Sequence, residues 1–476
     1  MLSVTLGILL IAAPRSYAHA ELLDTSPANG EHVDAPPSRI VLRFTEHVSP
    51  VPGAVVLRDS DGQALGNDEA RSVPGHPDRV ALAMPAALGD GVYTVSWRVV
   101  SADAHPVSGA FVFSVGTAQA TGLADPAAGG GVDSTVNAVF WAFRLLGYAA
   151  LALLVGGLFF VTVCWPPGRG DPRARRLVRV GWVSGLACGV AVLLLQGPYV
   201  AGVSLAHVLD PELLGGTLGT PYGAFVVGRL VLLGLAGALL VWLGRTAGRQ
   251  LNPPQLAGIS VLAVALPATW PGTGHAATGP LLAYVADTVH LIAMSVWLGG
   301  LALLFACVLP LRGDGATFPS VSEVAGLLPR FSRTAMAAVA VLVVTGVYQA
   351  LAEVGTFGDL AGGRYGQLLA FKLAAFGLLL WLGAASRSAV ARRYLMPAVH
   401  GDGAEEQQPR HPVRTAKRTR RTEQARDRVV LTRLRASVAV EALIAVGVLG
   451  ITAGLVATPP GGEHLHGAGA GAGPVR

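Results

Sequence analysis

Residues 116–134 read "GTAQATGLADPAAGGGVDS". The stretch shows neither the alternation of a strand nor the period of a helix, and its Gly, Ala and Pro content marks a linker. The text on its two sides differs in kind. The linker therefore divides the chain into two units of different fold class.

On the N-terminal side stand "RIVLRFTE" (39–46), "GAVVLRD" (53–59), "RVALAMP" (79–85), "DGVYTVSWRVVS" (90–101) and "GAFVFSVG" (109–116). These short runs are β-branched or alternating, and turn signals such as "SDGQ", "PGHPD" and "LGDG" separate them. Strands at this spacing within about 100 residues predict a small antiparallel sandwich or barrel.

On the C-terminal side come eight apolar spans, near 136–164, 178–202, 222–244, 255–271, 281–309, 332–353, 366–386 and 436–457. Each is close to the length of about 20 residues that crosses a bilayer. Composition agrees with this reading. The 476 residues are 52% hydrophobic and only 13% charged, with a mean hydropathy of +0.53, whereas soluble domains carry about 25% charged residues. The net charge of +6 does not point to nucleic acid, because the basic residues concentrate in short loops between apolar spans. Cys164, Cys188 and Cys307 all lie in those spans, so no disulfide framework is predicted for the β unit.

Loop charge orients the spans. "PPGRGDPRARRLVR", "GRTAGRQ", the "LRGDG…PRFSR" connection and the segment 387–435 hold nearly all the loop Arg and Lys. "GVSLAHVLDPELLGGTLGTP" and "PGTGHAATGP" hold none. The positive-inside rule places the basic loops in the cytoplasm and the β unit and C-terminal tail outside. The expected localisation is a bacterial cytoplasmic membrane, with the lipid bilayer as a partner. Within the last basic loop, about 397–430 is charged and lacks aromatics, which predicts disorder.

The chain start gives the same orientation. Val4 to Ala13 is an apolar core too short to span, and Ser16 and Ala18 are the small residues of a signal-peptide cleavage site, although no basic residue precedes the core. Cleavage after Ala18 makes His19 the first residue of "HAELLDTSPANG" (19–30). Its amine and imidazole then form one chelating residue. The expected organisation is a signal peptide at 1–18, a β-domain at 19–116, a linker at 117–133, a membrane domain at 134–458 and a tail at 459–476.

A second donor set is "SADAH" (101–105). Asp103 and His105 are two apart, so an extended strand projects them from one face. Joined to His19 they give a nitrogen-rich set with one carboxylate, which suits Cu(II). A lone D-x-H is otherwise an ordinary surface turn, and the pairing with His19 gives it weight. His32, His47 and His76 read as ordinary exposed histidines.

At these residues the chain resembles a known family. "HAELLDTSPANGEHVDAPPSRIVLRFTE" and "YTVSWRVVSADAHPVSGAFVFSVG" resemble the CopC copper-binding domain. "GHAA", "DTVHLIAMSVWLGGLALL", "RFSRTAMAAVAVLVVTGVYQA", "YGQLLAFKLAAFGLLLWLGAASR" and "LRASVAVEALIAVGVLGITAGLVATPP" resemble CopD. The order is that of fused CopC–CopD copper proteins of the YcnJ type. The resemblance implies an exported all-β Greek-key barrel (cupredoxin- or Ig-like), followed by an all-α polytopic domain of eight transmembrane helices. It also implies that His19, Asp103 and His105 hold Cu(II), with Glu46 supporting the terminal amine from behind. Some relatives carry a methionine-rich Cu(I) site. Here Met84 is the sole methionine of the β-domain after the leader, so Cu(II) alone is expected there.

In the fifth span Asp287, His290, Met294 and Trp297 follow steps of three, four and three, which places them on one helical face. Ionisable groups in a bilayer mark function by default. An acid, an imidazole and a thioether in series define a candidate path for Cu(I) or Cu(II), with His275 as the first ligand on the way in. The competing reading is a structural Asp–His pair with Met294 as packing. Arg144, Arg229, Lys372 and Glu441 read as structural charges, and His464 and His466 in the tail as weak copper donors.

The expected function is copper handling, not enzymatic catalysis: capture of Cu(II) outside and movement or transfer across the membrane, with a periplasmic or cytoplasmic copper chaperone as a candidate partner. No P-loop is present. Sequestration without transport is compatible with the same donors. A copper oxidase fits poorly, because Asp103 crowds the open position such chemistry needs. A haem-bearing membrane reductase needs two facing membrane histidines, and only His290 is deep.

Overall fold

The computed structural model describes residues 20–65, 70–85, 88–102, 104–118, 133–246, 249–277, 279–308 and 321–353, with isolated helical positions at Phe371, Ala374, Gly377, Leu378, Ala439, Val440, Ile444 and Gly447. His19, Asp103, the leader, most of the linker, the 397–430 loop, the tail, Lys372 and Glu441 lie outside the described residues. So does nearly all of the seventh and eighth expected spans.

Nine strands build the first unit: β1 Leu22–Ser26, β2 His32–Val33, β3 Arg39–Phe44, β4 Val48–Arg58, β5 Ala64–Leu65, β6 Arg71–Val73, β7 His76–Ala83, β8 Gly91–Ser101 and β9 Pro106–Val115. They form a four-stranded sheet, β1-β3-β7-β6, and a five-stranded sheet, β2-β9-β8-β4-β5. Every pair is antiparallel except β2 with β9, which is parallel, so the all-antiparallel expectation needs that one correction. Alternation drives the packing: Ile40, Leu42 and Phe44 of one sheet and Val95, Trp97 and Val99 of the other point into one shared core. Phe44 and Trp97 meet edge to face at 5.3 Å. Trp97 is paired with Gly109 across β8 and β9, and a Cβ at 109 would stand 2.6 Å from the indole. Only glycine leaves the ring that room.

The second unit is helical. Its helices are α1 Ser134–Leu151, α2 Pro172–Ala201, α3 Pro211–Leu218, α4 Pro221–Arg245, α5 Pro253–Ala268, α6 Leu281–Leu303 and α7 Val321–Glu353. Two π-helical turns, Ala152–Gly156 and Phe160–Cys164, prolong α1. Among the described residues six helices are long and apolar enough to cross a membrane, and they coincide with the first six expected spans. Hydropathy misplaced two helix starts. α2 begins at Pro172 because the Asp171 side chain accepts from the backbone N–H groups of Arg173 and Ala174, so part of the basic loop is helix. The described part of α7 runs from Val321 and carries Pro329 inside it. The eight-residue α3, in the connection that holds no Arg or Lys, had no hydropathy signal.

α1 and α6 touch backbone to backbone. A Cβ on Gly156 would overlap the Ser295 carbonyl, and one on Gly299 would overlap that of Ala152. Small residues permit this approach where lipid offers no hydrophobic drive between helices. The β-domain packs on the end of the bundle opposite the basic segment 169–179. There Val51, Val100 and Ala104 rest on a cluster that includes Phe140, Leu195, Tyr199 and Tyr222, with Phe140 and Tyr199 stacked at 4.5 Å.

Candidate metal centre

Three segments converge at that end of the β-domain. The chain just after His19 is anchored: Ala20 is buried in the core, Glu21 N–H donates to Thr45 Oγ1 at 2.9 Å, and Thr45 N–H donates to the Glu21 carbonyl at 2.9 Å. The next residue, Glu46, accepts from the Ser101 hydroxyl at 2.8 Å. Ser101 opens the 101–105 loop. Residues 20–21, 45–46 and 101–105 are therefore stitched together by hydrogen bonds, although 55 positions separate Glu46 from Ser101.

The loop itself departs from the sequence expectation. The β8–β9 ladder closes at Val100 with Pro106, so 101–105 is a hairpin connection. Ser101 N–H donates to the His105 carbonyl and Ala104 N–H to the Ser101 carbonyl, both at 2.9 Å. Ala104 has φ +68°, a left-handed conformation uncommon for a residue with a Cβ. The extended-strand argument for Asp103 and His105 is thus corrected: a left-handed residue lies between them and alternation does not apply. His105 is buried, with 5% exposure. Among the described residues no group of three His, Cys, Asp or Glu forms a metal cluster, and two of the three expected ligands lie outside that set.

The loop also meets the membrane domain. Gln196 of α2, itself 5% exposed, donates its Nε2 to the Ala104 carbonyl at 3.1 Å. A second contact runs from Arg98 Nη1 to the Val200 carbonyl at 3.5 Å. Burial against this interface pushes the Arg98 guanidinium below its ordinary value.

Within the membrane domain, α6 turns Asp287 and His290 toward α7. Gln349 Nε2 donates to Asp287 Oδ1 at 3.1 Å, and His290 Nδ1 lies 2.8 Å from Thr345 Oγ1. The Thr345 hydroxyl gives its one hydrogen to the Val341 carbonyl at 2.7 Å, so it accepts from Nδ1–H. In a neutral imidazole this leaves the lone pair on Nε2, the arrangement by which a neighbour orients a metal-binding histidine. Met294 and Trp297 are buried in the membrane core.

The backbone of His275 begins a 3-10 turn, His275–Ala277. Arg229, 6% exposed, holds the segment leading there: Nε donates to Thr269 Oγ1 at 3.0 Å, and Nη2 to the Thr269 carbonyl at 2.9 Å and Thr273 Oγ1 at 3.2 Å. Its guanidinium carbon stands 3.7 Å from the Trp270 ring centre. This agrees with a structural Arg229.

Thr345, Gln349, Gln196 and Ser101 escaped the sequence reading. Polar residues four apart in an apolar span, as Thr345 and Gln349 are, were the available signal. Of the spare histidines, His32 Nδ1 lies 3.2 Å from Ser114 Oγ, while His47 and His76 are exposed.

Residues 22–116 match the CopC domain, 134–283 the copper resistance protein D-like N-terminal domain, and 325–455 copper resistance protein D. The chain is 28% identical over 393 residues to copper transport protein CutJ of Bacillus subtilis, covering 80% of this chain and 70% of that one. It is 30% identical over 111 residues to copper resistance protein C of Pseudomonas syringae pv. tomato, 22% of this chain and 87% of the relative. Among solved structures, CopC from Methylosinus trichosporium OB3b is 35% identical over 20% of this chain and 93% of its own, with a TM-score of 0.19. The chain belongs to the copper resistance and transport family in which a CopC domain and a copper resistance protein D domain are joined in one polypeptide.

Proposed function

We propose that this protein captures Cu(II) outside the cytoplasmic membrane on His19, Asp103 and His105 and passes copper to its membrane domain for movement inward. The reading includes the Greek-key connection of the β-domain, the full eight spans, and a chaperone as donor or acceptor. The observation that carries it is the hydrogen-bonded convergence of 20–21, 45–46 and 101–105 directly above α2. Cu(II) favours nitrogen and oxygen donors in tetragonal geometry. The α-amine and imidazole of His19, the Asp103 carboxylate and the His105 imidazole supply such a set after cleavage at Ala18. In this reading Glu46, which accepts from Ser101, supports that amine.

From there Asp287 and His290 offer the next oxygen and nitrogen donors, with His275 before them and Met294 after. A thioether favours Cu(I), so copper reaches Met294 as Cu(I) only where an external one-electron reductant supplies the electron. The test is accumulation of radioactive copper in cells with and without the gene, beside Cu(II) spin resonance of the purified chain. A nitrogen-rich Cu(II) spectrum with copper-dependent uptake is expected. The same spectrum with unchanged uptake sinks the transport step and leaves sequestration.

A further inference from the structure

The helix ends farthest from the β-domain enclose a cavity of about 430 Å³ that copper handling does not use. α1, α2 and α4 wall it with aliphatic side chains such as Val178 and Leu240. Trp182 is fixed against it, since its Nε1 donates to the Leu233 carbonyl at 2.7 Å. Four guanidinium groups line the same space: Arg169, Arg175, Arg179 and Arg249. None of the four forms an ion pair among the described residues. The nearby Asp171 is occupied in capping α2.

Such a site selects by its charge. Any surrounding lipid fills apolar walls equally well, because hydrocarbon gains nothing by leaving hydrocarbon. Four unneutralised guanidiniums beside those walls favour a phosphate with net negative charge over a zwitterionic headgroup. A free phosphate ion satisfies the rim and leaves the walls uncovered. We propose that this cavity binds an anionic phospholipid of the adjoining leaflet, its phosphate among the four arginines and one acyl chain along the α2–α4 walls. The proposal does not depend on the copper reading.

The experiment uses the full chain in nanodiscs of mixed phosphatidylglycerol and phosphatidylcholine, with bound lipid counted by native mass spectrometry. Wild type is expected to retain phosphatidylglycerol preferentially. The double variant R175Q/R179Q should lose about thirtyfold of that preference, taking each arginine near the surface as worth about a fivefold factor. The double variant R173Q/R176Q, which makes the same charge change on α2 outside the cavity lining, should keep it. Equal loss in both variants, or no preference in wild type, overturns the site. Displacement of the lipid by millimolar inorganic phosphate overturns the lipid assignment. A second measurement needs no arginine variant. Phosphatidylglycerol brominated on its acyl chain should quench wild-type tryptophan fluorescence more than that of W182F, and equal quenching overturns the proposed pose.

Discussion

Gln196, on a helix long and apolar enough to span the membrane, donates a hydrogen bond to the carbonyl of Ala104 in the hairpin of the β-domain. Ala104 stands between two of the expected copper ligands. The bond therefore joins the β8–β9 hairpin to the helical domain. A neutral hydrogen bond of this kind contributes about 1 kcal/mol net, or roughly a fivefold bias toward the docked arrangement. Gln196→Leu should leave the Cu(II) spectrum of the purified chain unchanged and lower radioactive copper uptake several-fold. Unchanged uptake would mean that docking plays no part in transfer.

The chelate predicts its own failure. One residue added ahead of His19 keeps every side chain and removes the α-amine from the site, so Cu(II) affinity should fall by at least about tenfold. His105→Ala should do likewise. Circular dichroism should show the β-domain intact in the extended chain; because His105 is buried, its variant is compared only after passing the same check. Unaltered affinity on isothermal titration would exclude the amine as a ligand.

On α6 the critical atom is His290 Nδ1. Thr345→Val keeps the shape of the side chain and removes the acceptor 2.8 Å away, leaving a polar N–H without that partner at a cost of about 1–3 kcal/mol. If His290 carries copper on Nε2, uptake should fall by about tenfold, because the histidine tautomer and orientation are no longer fixed. A purely structural His290 predicts a lower melting temperature with transport per folded molecule unchanged, which separates the two roles.

Asp24 and Arg43 give the β-domain a pH-dependent term. Arg43 Nε donates to Asp24 Oδ2 at 2.8 Å, and this bond holds the Asp24 carboxyl below its ordinary value. The stabilisation is present above the unfolded value of about 3.9 and is lost as pH falls through the lower folded value. Both side chains are about half exposed, so solvent screening keeps the term small. Asp24→Asn should lower the melting temperature slightly at pH 7. The difference from wild type should vanish once the pH has fallen through the lowered folded value, and a difference that grows on acidification contradicts the pairing.

Helix packing offers the largest stability effect. Gly299→Leu places a side chain where a single Cβ already overlaps the Ala152 carbonyl. α1 and α6 must separate, with overpacking typically costing about 1–3 kcal/mol and more when backbone is the obstacle. Gly228→Leu on α4, where a Cβ meets nothing, should be mild by comparison. Thermal unfolding in detergent compares the two.

Several features could be read along the chain because each depends on local pattern. The alternation of Ile40, Leu42 and Phe44 marks a strand whatever it later packs against. The span 281–309 is too long and too apolar to be anything but a buried or membrane helix. The linker ending at Asp133, which caps α1, separates the two units by composition. The expected donors rest on residue type alone, a histidine behind an expected leader and an acid two before a histidine.

Tertiary structure decided what those residues meet. No spacing rule links Thr45 to Glu21, Glu46 to Ser101, Gln196 to Ala104 or Thr345 to His290, because each contact closes a long loop by the packing of whole elements. The left-handed turn at Ala104 was hidden for a related reason. Its conformation is held by the hairpin that Ser101 and His105 close around it, and alanine announces no such turn. Sequence determined the two fold classes and the available chemistry; assembly alone decided that the 101–105 hairpin rests on α2.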